Sequence, residues 1–193
     1  MVGHYVEVNN HKIFGYSRYI DFYRQIVEDA KDDELFVELG SFLGQSTAAM
    51  AYYIGESNKR IDFHAVDLFE LSDFSDEPHH AVIAEHGGDF LEAFKTNLRL
   101  AKVEDYVKIV KSSSLQAAAQ YEDRSISFLM IDASHKYADV VDDIKAWYPK
   151  IKLGGIISGD DYDWPEVAAA VKDTLGNHFV HNNSTWLYKK QTL

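Results

Sequence analysis

Five short apolar runs in this sequence end in residues that can bind or move protons and cations. Glu38 closes Leu35-Phe36-Val37, and Asp67 closes the run from Ile61 to Val66. Ser112-Ser113-Ser114 follows Tyr106–Val110, Asp132 follows Ile126–Ile131, and Asp160-Asp161 comes just after Ile156-Ile157-Ser158. Singly, each is a helix cap or a solvated turn. Together, on one rim of a sheet, they are better explained by a site. Asp132, Asp160 and Asp161 are expected to converge, because adjacent parallel strands lie ~4.8 Å apart. Bare carboxylates so placed raise one another's pKa, and a hard divalent cation relieves the repulsion. An all-oxygen set favours Mg²⁺, Mn²⁺ or Ca²⁺, which could orient a substrate hydroxyl and lower its pKa. The alternative is that Asp160-Asp161 caps the next helix and only Asp132 touches ligand. His135, on the loop after Asp132, can be a general base, a metal ligand or a cap for the helix starting near Tyr137. Asp67 can accept bonds from ribose hydroxyls, or act as a cap or loop acid.

The element that must position these groups is Leu35 to Ser46, an apolar strand, a glycine turn and the start of an Ala-rich helix. Such a turn presents backbone N–H groups and a helix N-terminus to a ligand. Gly40 permits the sharp turn, and Gly44 permits close approach of a ligand or the strand to the helix start. Glu38 would repel a pyrophosphate and welcome a cationic amine or a ribose hydroxyl. The G-x-x-x-G spacing also lacks the dinucleotide fingerprint G-x-G-x-x-G.

Before this stretch, Asn9-Asn10 marks a short hairpin or arm, and a 3.6-residue period predicts a helix from Ser17 to about Lys31 that covers part of the cleft. Its aromatic residues Tyr16, Tyr19, Phe22 and Tyr23 fit either a lid or a homodimer contact. After Asp67, residues 68–88 show no period and are expected to form a lid or a disordered segment. His79 and His80 in it read as loop residues. Helical stripes run from Phe90 to Ala101, over Leu115–Tyr121, from Tyr137 to Tyr148 with Trp147 in the core stripe, and over Glu166–Leu175. Gly154-Gly155 is read as a turn into the fifth strand. His178–His181 and Thr185–Lys189 are expected to close the chain as a hairpin. Alternating strands and helices imply an α/β fold, a doubly wound, mostly parallel seven-stranded Rossmann-like sheet with a C-terminal antiparallel hairpin. The expected organisation is an arm and helix over 1–33 and one domain over 34–193.

A net charge of −12 argues against nucleic acid and anionic membrane as partners. The absence of cysteine excludes disulfides, a thiolate nucleophile and zinc–thiolate sites. No leader-like or membrane-length apolar run is seen, and a cytoplasmic location is expected.

Val37 to Thr47 resembles the first motif of class I S-adenosylmethionine-dependent methyltransferases. Ile131 to Tyr137, Asp143 to Trp147, Pro149, Leu153 to Ile157 and Asp160-Asp161-Tyr162 resemble the smaller family of macrocin-type sugar O-methyltransferases. The resemblance runs from about residue 34 to 175. It implies that Glu38, Gly40, Ser41 and Ser46 surround the methionine part of the cofactor, that Asp67 takes the ribose, and that Ser113 or Ser114 lies near adenine. It also implies that Asp132, Asp160 and Asp161 hold Mg²⁺. The family often has an acid where this chain has Ser134, which leaves His135 as the substitute base or leaves the base unfilled.

The resulting expectation is a metal-assisted O-methyltransferase acting on a small hydroxylated molecule such as a sugar or glycoside. Asp132 and His135 would serve the chemistry. Two other classes stay open: a domain that binds the cofactor without transferring methyl groups, and a nicotinamide-dependent oxidoreductase, against which the missing G-x-G-x-x-G argues.

Overall fold

Strand β3 (Glu34–Leu39) is the middle of the molecule because its residues alternate between two apolar layers. Phe36 packs with Phe63, Phe128 and Met130 on one face of the sheet. Val37 and Leu39 pack with Leu129 and Ile131 on the other. This is the period-2 geometry of a strand covered on both sides. The computed structural model of the chain describes residues 3–70, 77–176, 180–182 and 184–191.

Around β3 lie β4 (Ile61–Asp67), β5 (Lys108–Lys111), β6 (Ile126–Ile131) and β7 (Ile151–Gly159), all parallel, with β9 (Thr185–Lys189) and β8 (Val180–Asn182) antiparallel at one edge. The sheet order is β5-β4-β3-β6-β7-β9-β8. Six of these strands run four residues or more, and the edge strand β8 has only three. The fully buried β6 is central, as its apolar run predicts. The order reverses between β3 and β6, so a crevice opens outside their carboxyl ends, where open α/β sheets bind ligands.

Helices α1 (Ile20–Asp29) and α2 (Gln45–Ser57) cover one face, and α5 (Ser114–Ala118), α6 (Tyr137–Trp147) and α7 (Pro165–Leu175) the other. The segment expected to be irregular contains α3 (Glu77–Glu85), followed by α4 (Leu91–Leu100); residues 71–76 of it lie outside the described residues. The N-terminal arm is a hairpin of β1 (His4–Val8) and β2 (His11–Gly15), turned by Asn9 and Asn10 with φ of 49° and 63°. Positive φ at both central residues is what a type I′ two-residue hairpin loop requires, and Asn tolerates it. Val8 and Ile13 tuck this hairpin against Leu43 and Phe94. Gln45 Nε2 also donates to the His4 and Ile13 carbonyls at 2.7 and 3.2 Å.

Gly154-Gly155 is not a turn before the fifth strand. It lies inside β7, whose pairing with β6 jumps from Ile126↔Ile151 to Phe128↔Ile156. Gly154 (φ +78°) absorbs the extra residues as a bulge. Asn183 of the closing hairpin lies outside the described residues. No helix among the described residues is long and apolar enough to cross a membrane.

Candidate functional site

One cavity of about 470 Å³ opens at the carboxyl ends of β3, β4, β5, β6 and β7. Gly40, Ser41, Ser46, Asp67, Ser113, Ser114, Asp132, His135, Asp160 and Asp161 all line it. Parallel strands deliver them, since each strand's last residue falls on the same rim.

Gly40 leaves β3 with φ of +81°, and a Cβ there would stand 1.9 Å from the Asp132 carbonyl oxygen. The turn therefore brings β3 and β6 closer than any side chain would allow. Asp67, at the end of β4, reaches across to this turn. Its Oδ2 accepts the Ser41 and Phe42 amides at 2.7 and 3.0 Å, and its Oδ1 accepts the Phe69 amide at 2.7 Å. Asp67 thus clamps two loops as well as facing the cavity. Burial raises its pKa, and these amides pull it back. Phe42 is held at φ +47° beside this clamp.

Two expected cofactor residues are placed elsewhere. Glu38 is fully buried beneath the turn and does not line the cavity. Its parity with Phe36 points it under α1 and α2, where it accepts from Tyr23 Oη at 2.9 Å, Ser41 Oγ at 3.0 Å and Thr47 Oγ1. Burial raises its pKa and the hydroxyls lower it. Gly44 is also off the cavity. It caps α2 in the left-handed region (φ +87°), and a Cβ there would meet the Phe94 ring at 3.0 Å. Its role is tight packing of the helix start rather than ligand approach.

Ser113 caps α5, and the Ser114 hydroxyl accepts from Trp147 Nε1 at 2.9 Å while donating to Asp143. Asp143 was not anticipated as a site residue. With Asp139 and Asp142 it forms an acidic face of α6 toward the cavity. Burial pushes the Asp143 carboxyl up to about 6. The folded carboxyl is thus harder to ionise than the unfolded one, whose pKa lies near 3.8. Asp143 therefore favours folding below pH 4, and that contribution fades as pH rises through 6. Urea titrations should show wild type losing up to about 3 kcal/mol relative to Asp143→Asn between pH 4 and 6. Equal pH profiles would contradict this.

At the β6 and β7 ends, Asp132, His135 and Asp161 each offer a ligand atom, and these atoms lie within 4.8 Å of one another. Asp132 rises to about 8, chiefly from burial and then from the charges of Asp160 and Asp161. His135 Nε2 stands 2.7 Å from Asp161 Oδ2, and its ring lies 4.6 Å from Trp164. Asp161 is a non-glycine residue at φ +57°, an uncommon conformation that aims its carboxylate back at His135. The two carboxylates crowd negative charge and fit a hard divalent cation, and the imidazole beside them is a softer donor. Asp160, expected in that set, is drawn away. Its Oδ1 accepts from Ser184 Oγ at 2.6 Å, and its Oδ2 lies 3.6 Å from Arg18 Nε.

The N-terminal segment supplies partners that the sequence did not reveal. Tyr19 Oη donates to Asp132 Oδ2 at 2.6 Å, and Arg18 Nη2 donates to Asp161 Oδ1 at 2.6 Å. Tyr19 and Tyr23 are buried in the layer with Phe36 and Phe128, so they are spent within the chain as part of a cover. A tyrosine pair four residues apart was the available signal for this. Nothing local marked Arg18. Ser134 donates to Asp139 Oδ2 at 2.6 Å, so a carboxylate does stand beside the position where the acid was expected.

A family model described as "Methyltransferase domain" matches residues 37–162. No curated protein sequence matches the chain. Among solved structures, the O-methyltransferase NovP superposes with a TM-score of 0.67 at 16% identity, covering 90% of this chain and 79% of its own. CalS11, described as a TDP-rhamnose 3′-O-methyltransferase of calicheamicin biosynthesis, gives 0.56 at 17% identity, with 88% and 76% covered. A SAM-dependent O-methyltransferase from Thermotoga maritima gives 0.63 at 13% identity, with 99% and 78% covered. At these identities the similarity is one of fold.

Proposed function

The chain belongs to the methyltransferase-domain family, and from that premise we propose that it is an S-adenosylmethionine-dependent O-methyltransferase, assisted by a divalent metal, acting on a small hydroxylated molecule such as a sugar. One observation carries this reading. The turn at Gly40, the clamp at Asp67 and the serines after β5 share a single cavity with Asp132, His135 and Asp161. Cofactor and acceptor would therefore meet without an intervening wall, and proximity would supply much of the rate. The sugar is suggested by the TDP-rhamnose enzyme among the fold neighbours.

The methionine part of the cofactor would lie against Gly40, Ser41 and Ser46, the ribose against Asp67, and adenine near Ser113 and Ser114. The acidic lining favours a sulfonium and an ammonium group over an anionic ligand. Asp132 and Asp161 would hold Mg²⁺ or Mn²⁺, which when bound would supply a Lewis acid for the acceptor hydroxyl, leaving the imidazole lone pair of His135 to take a proton. The cofactor, when bound, would supply a methyl group on a sulfonium that leaves as a neutral thioether once the acceptor oxygen has taken the methyl, and the hydroxyl proton would go to a base. His135 is the candidate base, oriented by Asp161 at 2.7 Å. The Ser134–Asp139 pair keeps a carboxylate close by.

The test is methyl transfer from labelled S-adenosylmethionine to a panel of sugars and glycosides, run with Mg²⁺ and with excess chelator. Transfer should require the metal and fall at least about 100-fold with chelator, in keeping with the several kcal/mol a Lewis acid supplies. Undiminished transfer with chelator would remove the metal from the account. Cofactor binding without transfer to any acceptor would favour a binding domain.

A further inference from the structure

Among the described residues, a cationic group of the chain itself reaches the Asp132–His135–Asp161 cluster. Arg18, just before α1, sends Nη2 to Asp161 Oδ1 at 2.6 Å. The same guanidinium takes Asp163 in a fork, Nη1 to Oδ2 at 3.1 Å and Nη2 to Oδ1 at 3.0 Å. Its Nε lies 3.6 Å from Asp160 Oδ2. One planar cation thus spans three carboxylates, a geometry that suits Arg and not Lys. Asp161 is the shared residue. One of its oxygens faces Arg18 and the other faces His135. The carboxylates of Asp160 and Asp161 are almost fully buried, whereas the Arg18 side chain is 34% exposed, so the cation can leave more readily than the acids can.

We propose that Arg18 is a built-in counter-cation of this acidic group, competing with a divalent ion for Asp161 and so setting how tightly the chain binds metal. The proposal rests on the metal reading above. Two physical effects act in the same direction. The guanidinium engages one oxygen of a candidate ligand, and its positive charge repels any second cation brought to the cluster. Coupling between two ligands of one group is reciprocal, so a divalent ion in turn loosens Arg18 from Asp161. Arg18 sits two residues before Ile20, where α1 begins, and its neighbour Tyr19 bonds Asp132. Metal occupancy is thereby linked to how firmly the N-terminal segment covers the cavity.

The experiment is calorimetric titration of the full chain with Mn²⁺, for wild type, Arg18→Gln and Arg18→Lys, with thermal melts to confirm folding. Arg18→Gln should bind Mn²⁺ at least about tenfold more tightly than wild type. Arg18→Lys keeps the charge but cannot span the three acids, and should fall between the two. It also keeps the test decisive if Arg18→Gln fails to fold. If wild type binds Mn²⁺ and neither variant binds more tightly, Arg18 is not a competitor and the proposal is overturned with the metal reading intact. Absence of Mn²⁺ binding in all three proteins overturns both.

Discussion

Gly40→Ala is expected to abolish binding of S-adenosylhomocysteine and to destabilise the fold by about 3 kcal/mol or more. Two costs add. The backbone at φ +81° disfavours a residue with Cβ by about 1 kcal/mol or more. The new methyl group would also stand 1.9 Å from the backbone carbonyl oxygen of Asp132, the residue just after β6, whose own amide is tied to the Leu39 carbonyl at 2.8 Å. Either β6 moves outward or the turn reopens, and both displace Asp132 and the amides of Ser41 and Phe42. Gly154→Ala is the control. Its φ is similar, at +78°, but nothing lies within 4 Å of the added carbon. That variant should lose about 1 kcal/mol and bind the ligand normally. Equal effects of the two variants would mean that close approach of β3 and β6 is not what Gly40 provides.

The second large effect is expected at Glu38. Glu38→Ala leaves the hydroxyls of Tyr23, Ser41 and Thr47 without their buried acceptor, at a cost of about 3–5 kcal/mol. Glu38→Gln keeps an acceptor and the shape, and should cost about 1–2 kcal/mol. The informative quantity is ligand affinity. A residue beneath the turn braces it, so Glu38→Gln should hold S-adenosylhomocysteine within about tenfold of wild type. That corresponds to about 1.4 kcal/mol or less. A loss of about 100-fold or more in a folded Glu38→Gln protein would instead make Glu38 a direct cofactor contact, as the family resemblance implies. Chemical denaturation and calorimetry on the same samples separate the two quantities.

The pattern of success and error in reading the sequence follows from the range of each interaction. The parallel strands were legible because apolar runs and helical stripes are local signals; their order around β3 was not, because it is set by contacts between distant segments. The Asn9-Asn10 hairpin was legible as a local signal too. Helix α3 was not, since Glu77 to Glu85 carries no clear apolar stripe and its start abuts Pro78. Gly154-Gly155 looked like a turn because a bulge and a turn use the same residue for the same reason. At the site, the rim positions were legible from strand ends. Which of them face the cavity was not fully read. Glu38 shares the parity of Phe36, a clue that it points under the helices. The diversion of Asp160 to Ser184 and Arg18 depends on residues far away in the chain, and no local pattern encodes it. Arg18, a lone cation before an aromatic helix in an acidic chain, became meaningful only once folding set it against Asp161.

The measurement that bears most directly on the central claim is calorimetric titration of the purified chain with S-adenosylhomocysteine, alongside NADH as a competitor class. The cavity at Gly40, Asp67 and Ser113 predicts one-to-one binding of S-adenosylhomocysteine at micromolar level and no heat with NADH. Binding of NADH with no affinity for S-adenosylhomocysteine would contradict the assignment of this cavity and require a different cofactor on the same sheet.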